Sequence, residues 1–519
     1  MKSSAGIPPL EERVFQEFKG MNRRSSRLNM DPSFYFDLLN GYLYKDVQSG
    51  LGFINQRAGC AKLNTVALSG YGTNTQIRTI YEAIWNGGGK DVIIKAGSAW
   101  GKWDGVNSFP TLCTGRPDGS VGQCVMFQNN LILADGGIMQ KVSPAYAVSA
   151  LSADPAMPQD STAVWVHCDK VWANSTANPL YAYFCDTNNA TTATAWSDTG
   201  NAGYLDLSTV LPVGDKILGY RTMGGTTNMI LVIQTTQFLV LYLAGADPTQ
   251  FVLLKIIKCD SLSNQAISQI GTDLIYATRK DVTSIFNAYQ NNDLEINAIS
   301  QWIDPYYRDQ VAQLTDPTTQ MSAVFDNTLN LWYLTLGITN NYQTFVYSVD
   351  VQNFVGRYTY PFNIYSWASR QDGTIYSGSD NYVYVMNSGT NDDSTAISFK
   401  LAMPYLYLSL PNRYKKIVEF EIFMQATASL TLYLDYWYGL TSLATDKQTK
   451  AISITTSASL WNVAPWNTSY WNQQGNQLYN EPGILGRGRG IFIELRHSTL
   501  DAVLSIPWFT LRYNIEGRN

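Results

Sequence analysis

The chain has 519 residues, 13% of them aromatic and only 15% charged, with 33 Tyr, 14 Trp and 39 Gly. A formal charge of −5 excludes a uniformly basic nucleic-acid clamp, and the aromatic, glycine-rich mix argues for β structure over a helical bundle. This length calls for two or three domains with substantial cores.

Six cysteines, Cys60, Cys113, Cys124, Cys168, Cys185 and Cys259, show no CxxC or CxxH spacing, so free thiols are expected in place of a zinc site. The N-terminus has no signal-peptide pattern, and the longest apolar run, 251–257, is too short and too charged to span a bilayer. Residues 1–28 read as an N-terminal arm. Leu10, Val14, Phe15 and Phe18 sit at roughly helical spacing, followed by Lys19, Arg23, Arg24 and Arg27. Such an arm is either solvated or docked on a neighbouring subunit.

The stretch 29–59 reads as two aromatic strand segments, 41–47 and 51–57, joined through Gln48-Ser49-Gly50. A lone hairpin is marginal in water, so this one needs strands that arrive later in the chain. From 62 to 387, short apolar-aromatic runs alternate with Gly, Asn, Asp and Pro clusters, with hairpin turns expected at Asn129-Asn130 and Asp326-Asn327. The main helix candidate, 299–314, is interrupted at Pro305. The clearest unit, 321–360, reads as four strands in about 40 residues, the length of one propeller blade. We therefore expect an all-β chain with a β-propeller of six or seven blades over 29–395, and stacked sandwiches are the alternative. The polar stretch 388–400 marks a boundary. Beyond it, 396–519 has longer alternating strands such as Leu430/Leu432/Leu434 against Thr431/Tyr433/Asp435, the pattern of a small β-sandwich.

Motifs for chemistry are sparse. His167 and His497 lie in separate predicted domains and in strands, where structural roles are expected. No HExxH, Walker loop or post-strand GxGxxG occurs, and Asn86-Gly-Gly-Gly-Lys90 lacks the spacing of a phosphate loop. The Ser369–Tyr376 segment SRQDGTIY resembles a sialidase hairpin box only superficially and reads as an Asp-Gly turn. The Asn174, Asn189 and Asn467 sequons mean little without a secretory signal. No catalytic residue, metal site or cofactor is expected. Two clusters suit an interface: Trp461, Trp466 and Trp471 at five-residue intervals, and the Gly-Arg-Gly-Arg-Gly turn with Arg487 and Arg489. For the first, a loop folded back on its own sandwich is the competing reading; for the second, an ordinary exposed turn.

The opening LNMDPSFYFDLLNGYLYKDVQSGLGFINQRAG, the Trp-rich loop, the Gly-Arg-Gly turn and the final Tyr513…Glu516-Gly517-Arg518 resemble the tail hub or nozzle proteins of short-tailed bacteriophages. Arg57-Ala58-Gly59 stands where that family has Arg-Pro-Gly. The resemblance implies a non-enzymatic structural protein of the virion tail, made in the host cytoplasm. Its ring, expected to be a hexamer, would sit below the portal and adaptor. It would retain the packaged genome, let double-stranded DNA pass without sequence-specific binding during ejection, and anchor spikes or fibres without membrane insertion. The alternative is a propeller-type carbohydrate-active enzyme, a tail depolymerase or sialidase-like glycosidase. Segment 41–57 is expected to close the ring beside 374–386.

Overall fold

Apolar runs separated by tight turns pair with their neighbours in sequence, and this local rule builds most of the chain. The computed structural model describes residues 10–45, 52–197, 201–224, 229–245, 247–285, 298–338, 341–439, 446–454, 476–482 and 486–516. Seven antiparallel strand groups follow one another over 77–113, 123–150, 164–206, 217–258, 267–284, 321–358 and 366–386, the sixth being one end of a nine-stranded sheet. Their first strands lie side by side around an axis, and Ser366–Ser369 of the last comes to rest against Ile77–Ile84 of the first. The fold is a β-propeller, and its described sheets make seven blades. Apolar clusters fill the space between blades, as where Trp172 and Tyr220 join the third to the fourth.

The turns show why the chain folds locally. In the second blade Gln128 and Asn129 hold φ values of 48° and 57°, so the two-residue turn lies one position earlier than the expected Asn129-Asn130. The SRQDGTIY segment is an Asp-Gly turn as read, with Gly373 at φ +87°. Its Arg370 and the Gln371 backbone N–H bind Glu82 at 2.7 and 2.8 Å, fastening the seventh blade to the first. Pro305 does not interrupt a helix. It opens one, Asp304–Val311, in the first turn, where its missing N–H costs nothing.

The C-terminal region is a sandwich whose two sheets share one core, with Leu432, Leu434 and Leu495 on one side and Phe420, Ile422 and Leu511 on the other. Leu430, Leu432 and Leu434 are buried as the alternation predicts. The N-terminal segment belongs here, and this corrects three expectations. Leu10–Phe15 is a strand, not a helical turn. It lies antiparallel to Leu504–Ile515 of its own chain, with Phe15 stacked on Phe509 at 4.8 Å. Arg23 and Arg27 are likewise held within the chain, on Asp37 at 2.9 Å and Glu494 at 3.2 Å.

Second, the hairpin Gly41–Lys45 and Gly52–Gln56 does not pair with the seventh blade. Its second strand meets Leu504–Ile515 at Asn55↔Ser505 and Ile54↔Ile506. Closure of the ring falls to the next strand, Cys60–Lys62, which pairs with Val383–Met386 as the fourth strand of the seventh blade. Third, residues 37–56, assigned above to the ring, therefore supply strands to the sandwich. Asp37–Leu39 also bridges the two regions, pairing in parallel with the sixth blade at Arg357 and antiparallel with Phe399–Ala402.

Where the chain passes from sandwich to ring, Arg57 is 2% exposed and binds both oxygens of the buried Asp392, with Nη1–Oδ1 at 2.7 Å. Its remaining donors reach Asn40 Oδ1 and the carbonyls of Ala58 and Thr359. Two residues on, a Cβ on Gly59 would stand 2.0 Å from the Asn391 carbonyl oxygen, so only glycine fits. Removing one partner of a buried pair strands the other charge. Arg57→Met is therefore expected to lower unfolding stability by about 3–5 kcal/mol in urea titrations. Asp392→Asn should cost a similar amount and the double variant much less than the sum; additive losses would show that the pair is not coupled.

Candidate functional site

The interface clusters divide. Trp461, Trp466 and Trp471 lie outside the described residues. Arg487 and Arg489 sit on a tight turn whose glycines are required by close packing. A Cβ on Gly486 would approach Tyr438 Cε2 to 2.3 Å, and one on Gly490 would approach the Leu406 carbonyl oxygen to 2.5 Å. Beneath the turn, the buried Lys415 ammonium donates to the carbonyls of Leu410 at 2.7 Å and Arg489 at 2.9 Å. Burial lowers its pKa to about 8. Both arginines are exposed: Arg487 lies 3.6 Å from Glu516, and Arg489 lies 5.9 Å from the Tyr414 ring centroid. With exposed Arg413 and Lys416 close in sequence to Lys415, this end of the sandwich presents a basic, aromatic edge.

Other motifs resolve into structure. Asn174 is buried, and its side chain satisfies Ser161, Thr162, Ala163 and the Ile217 carbonyl, so it is no glycan acceptor in the folded chain. All six cysteines are free, four of them buried. Each histidine ends its strand: His167 closes Val164–His167 and His497 closes Phe492–His497. Thr222 Oγ1 accepts from Trp165 Nε1 at 3.0 Å and shares a hydrogen bond with His167 Nδ1, also at 3.0 Å. His497 Nε2 meets Gln56 Oε1 at 2.7 Å and thereby ties the early hairpin to the late sheet.

Two cavities formed by described residues adjoin the ring. One of 530 Å³ lies between the hairpin and the sixth and seventh blades, near Tyr42, Asp326, Tyr358 and Asn387. Burial raises the Asp326 pKa, yet its oxygens accept from the backbone of Thr328 and Leu329 and from Asn387 and Tyr333. Such a carboxylate organises a turn. The second cavity, 190 Å³, sits on the propeller axis and takes lining residues from all seven blades. Its polar wall comprises Thr79, Gln123, Gln265, Ser322 and a single charged group, Arg221. No sequence signal marks Arg221, because its place on the axis exists only after the ring closes.

No protein-family model and no curated protein matches the sequence. Among solved structures, the chain is similar to the Pan2 WD40 domain of Neurospora crassa (11% identity, 65% of this chain and 97% of that one, TM-score 0.40). It is also similar to Chaetomium thermophilum Raptor (12% identity, 65% of this chain and 30% of that one, TM-score 0.43). A streptogramin B lyase matches at 11% identity over 60% of this chain and 96% of its own, with a TM-score of 0.37.

Both histidines are buried and held neutral, their pKa values lowered to about 4 by desolvation. In the unfolded chain they titrate near 6.5, so the unfolded state takes up protons first as pH falls. Their stabilising contribution is complete above about pH 6.5 and is lost between there and pH 4. Urea midpoints should fall by a few kcal/mol equivalent over that window, and His497→Gln should flatten its share. A variant profile parallel to wild type would remove His497 from the acid response.

Proposed function

We propose that this chain is a structural subunit of a short-tailed phage tail, a nozzle or hub that assembles into a six-fold ring and works without catalysis. The observation that carries the reading is the meeting of the two ends. The opening stretch and the closing stretch, which bear the resemblance to that family, are more than 400 positions apart, yet Gly52–Gln56 pairs with Leu504–Ile515. The described residues that carry the resemblance at the two ends therefore meet in one physical unit, the sandwich, together with the turn that displays Arg487 and Arg489.

In this reading the propeller axis is not the genome's passage, since a 190 Å³ cavity holds a small ligand at most. The passage is the hole between copies, and ring contacts are heterologous, one patch against a different one. The basic edge is the candidate for one such patch or for the contact with the adaptor. A glycosidase reading calls for paired carboxylates around the axis. The charged group found there is a guanidinium, which favours the structural role.

Electron microscopy of the purified full chain, alone and with its portal and adaptor, should show six-fold rings; a stable monomer that joins no particle would overturn the proposal. Arg487→Glu with Arg489→Glu should leave unfolding stability within about 0.5 kcal/mol, because both side chains are exposed, while weakening ring or adaptor contact. Unchanged assembly would exclude the turn from the interface.

A further inference from the structure

Arg221 projects from the first strand of the fourth blade, Ile217–Met223, toward the axial cavity. Of its five N–H donors, Nη1 gives one to the Tyr220 carbonyl at 2.7 Å and Nη2 one to the Asn264 carbonyl at 2.6 Å. The guanidinium lies 5.0 Å from the Trp165 ring centroid, and Trp165 is fixed in turn by Thr222. No carboxylate among the described residues pairs with it. Of the other arginines drawn into the interior, Arg57, Arg116 and Arg357 each face an aspartate, whereas Arg78 binds the Thr319 carbonyl and Gln76 Oε1. Arg221 is half-buried and keeps its charge on neutral partners, as the buried Lys95, Lys170 and Lys415 ammoniums do on carbonyl oxygens, and desolvation lowers its pKa to about 10. It differs from them in opening onto a cavity, where an anion has room to pair with it.

A second group in the same wall narrows the class of anion. Gln265 donates Nε2 to the Arg78 carbonyl at 2.6 Å, which fixes the amide's orientation and leaves buried Oε1 with no partner. That oxygen calls for a donor. Ser322 adds a hydroxyl, the Thr79 hydroxyl being engaged by the Gly122 backbone, and Ile80, Ile267 and Ala323 supply apolar wall. At about 30 Å³ per water, the 190 Å³ space equals about six waters, room for a molecule up to the size of a monosaccharide acid.

We propose that the propeller axis is a binding site for a small hydroxycarboxylate, its carboxylate on Arg221 and a hydroxyl donated to Gln265 Oε1. The site is internal to one chain and independent of whether the chains form a ring. It involves no bond-making step. The wall holds a charge clamp, an acceptor and an aromatic face, which suffices for recognition.

Isothermal titration of the full chain with lactate and with glucuronate, acetate serving as the hydroxyl-free control, tests this directly. Saturable binding of lactate or glucuronate, at least ten-fold weaker for acetate and for Arg221→Gln, is the expected result. No saturable binding to the wild-type chain, equal affinity for acetate, or undiminished affinity in Arg221→Gln would overturn it. Should Arg221→Gln fail to fold, Ala323→Leu fills the cavity without touching the guanidinium. It should abolish binding, and retained affinity there would place the ligand elsewhere. The test reads one chain's cavity, so its failure leaves the tail-ring reading standing, and failure of that reading leaves this site intact.

Discussion

The ion pair between Arg57 and Asp392 stands where four parts of the chain meet. Arg57 ends the hairpin that lies in the sandwich, and Asp392 lies in the linker that leaves the seventh blade. Asn40 and Thr359, from the start of the hairpin and the end of the sixth blade, accept two of the three remaining guanidinium protons. A buried pair of this kind adds little net stability over a well-packed apolar substitute. What it supplies is position. The planar fork admits one arrangement of its acceptors, so the crossing of the two chain passages is specified to within a hydrogen-bond length.

That crossing matters because the two regions are not beads on a string. The sixth blade continues without a break into one sheet of the sandwich: Asn353–Tyr358 pairs with Asp37–Leu39, which pairs with Phe399–Ala402, which pairs with Phe492–His497. Asp37 reinforces the join, taking a two-point contact from Arg357 at 2.8 Å and another from Arg23 at 2.9 Å. A propeller blade normally ends in an open edge that invites foreign strands. Here the sixth blade's edge is consumed by the sandwich and the seventh's is completed by Cys60–Lys62. Relative motion of the two regions would have to break main-chain ladders, so the sandwich is carried rigidly by the ring.

The sequence made the ring legible because its information is local. Each blade is a run of adjacent strands, and the turn residues announce themselves. The elements misread are those whose partners lie hundreds of residues away. Leu10, Val14, Phe15 and Phe18 suggested a helix face, yet in the strand Leu10–Phe15 only Phe15 turns inward while Leu10 and Val14 stay exposed. An edge strand with one buried residue carries no alternation to read. Cys60-Ala61-Lys62 has no strand signature at all, so the closing role fell by inference on the conspicuous aromatic hairpin beside it. Pro305 was ambiguous by nature, since the same ring that breaks a helix interior suits its first turn.

Arg221 and the Gly-Arg turn show two ways in which the chain holds a charge ready for a partner. On the axis, the guanidinium is fixed by two carbonyls and an aromatic face, with donors to spare. At the sandwich end, Lys415 is buried beneath the turn and gives protons to Leu410 and Arg489 carbonyls, a placement that works against its own ionisation. Burying an ammonium to brace a surface loop is unfavourable for folding alone. Its effect is to remove conformational freedom from the segment bearing Arg487 and Arg489, and a segment already ordered loses less on association. A turn built from glycines that only one backbone path can satisfy, pinned from below by a buried cation, presents its arginines at a set spacing. That is the property the proposed contact between identical subunits would require.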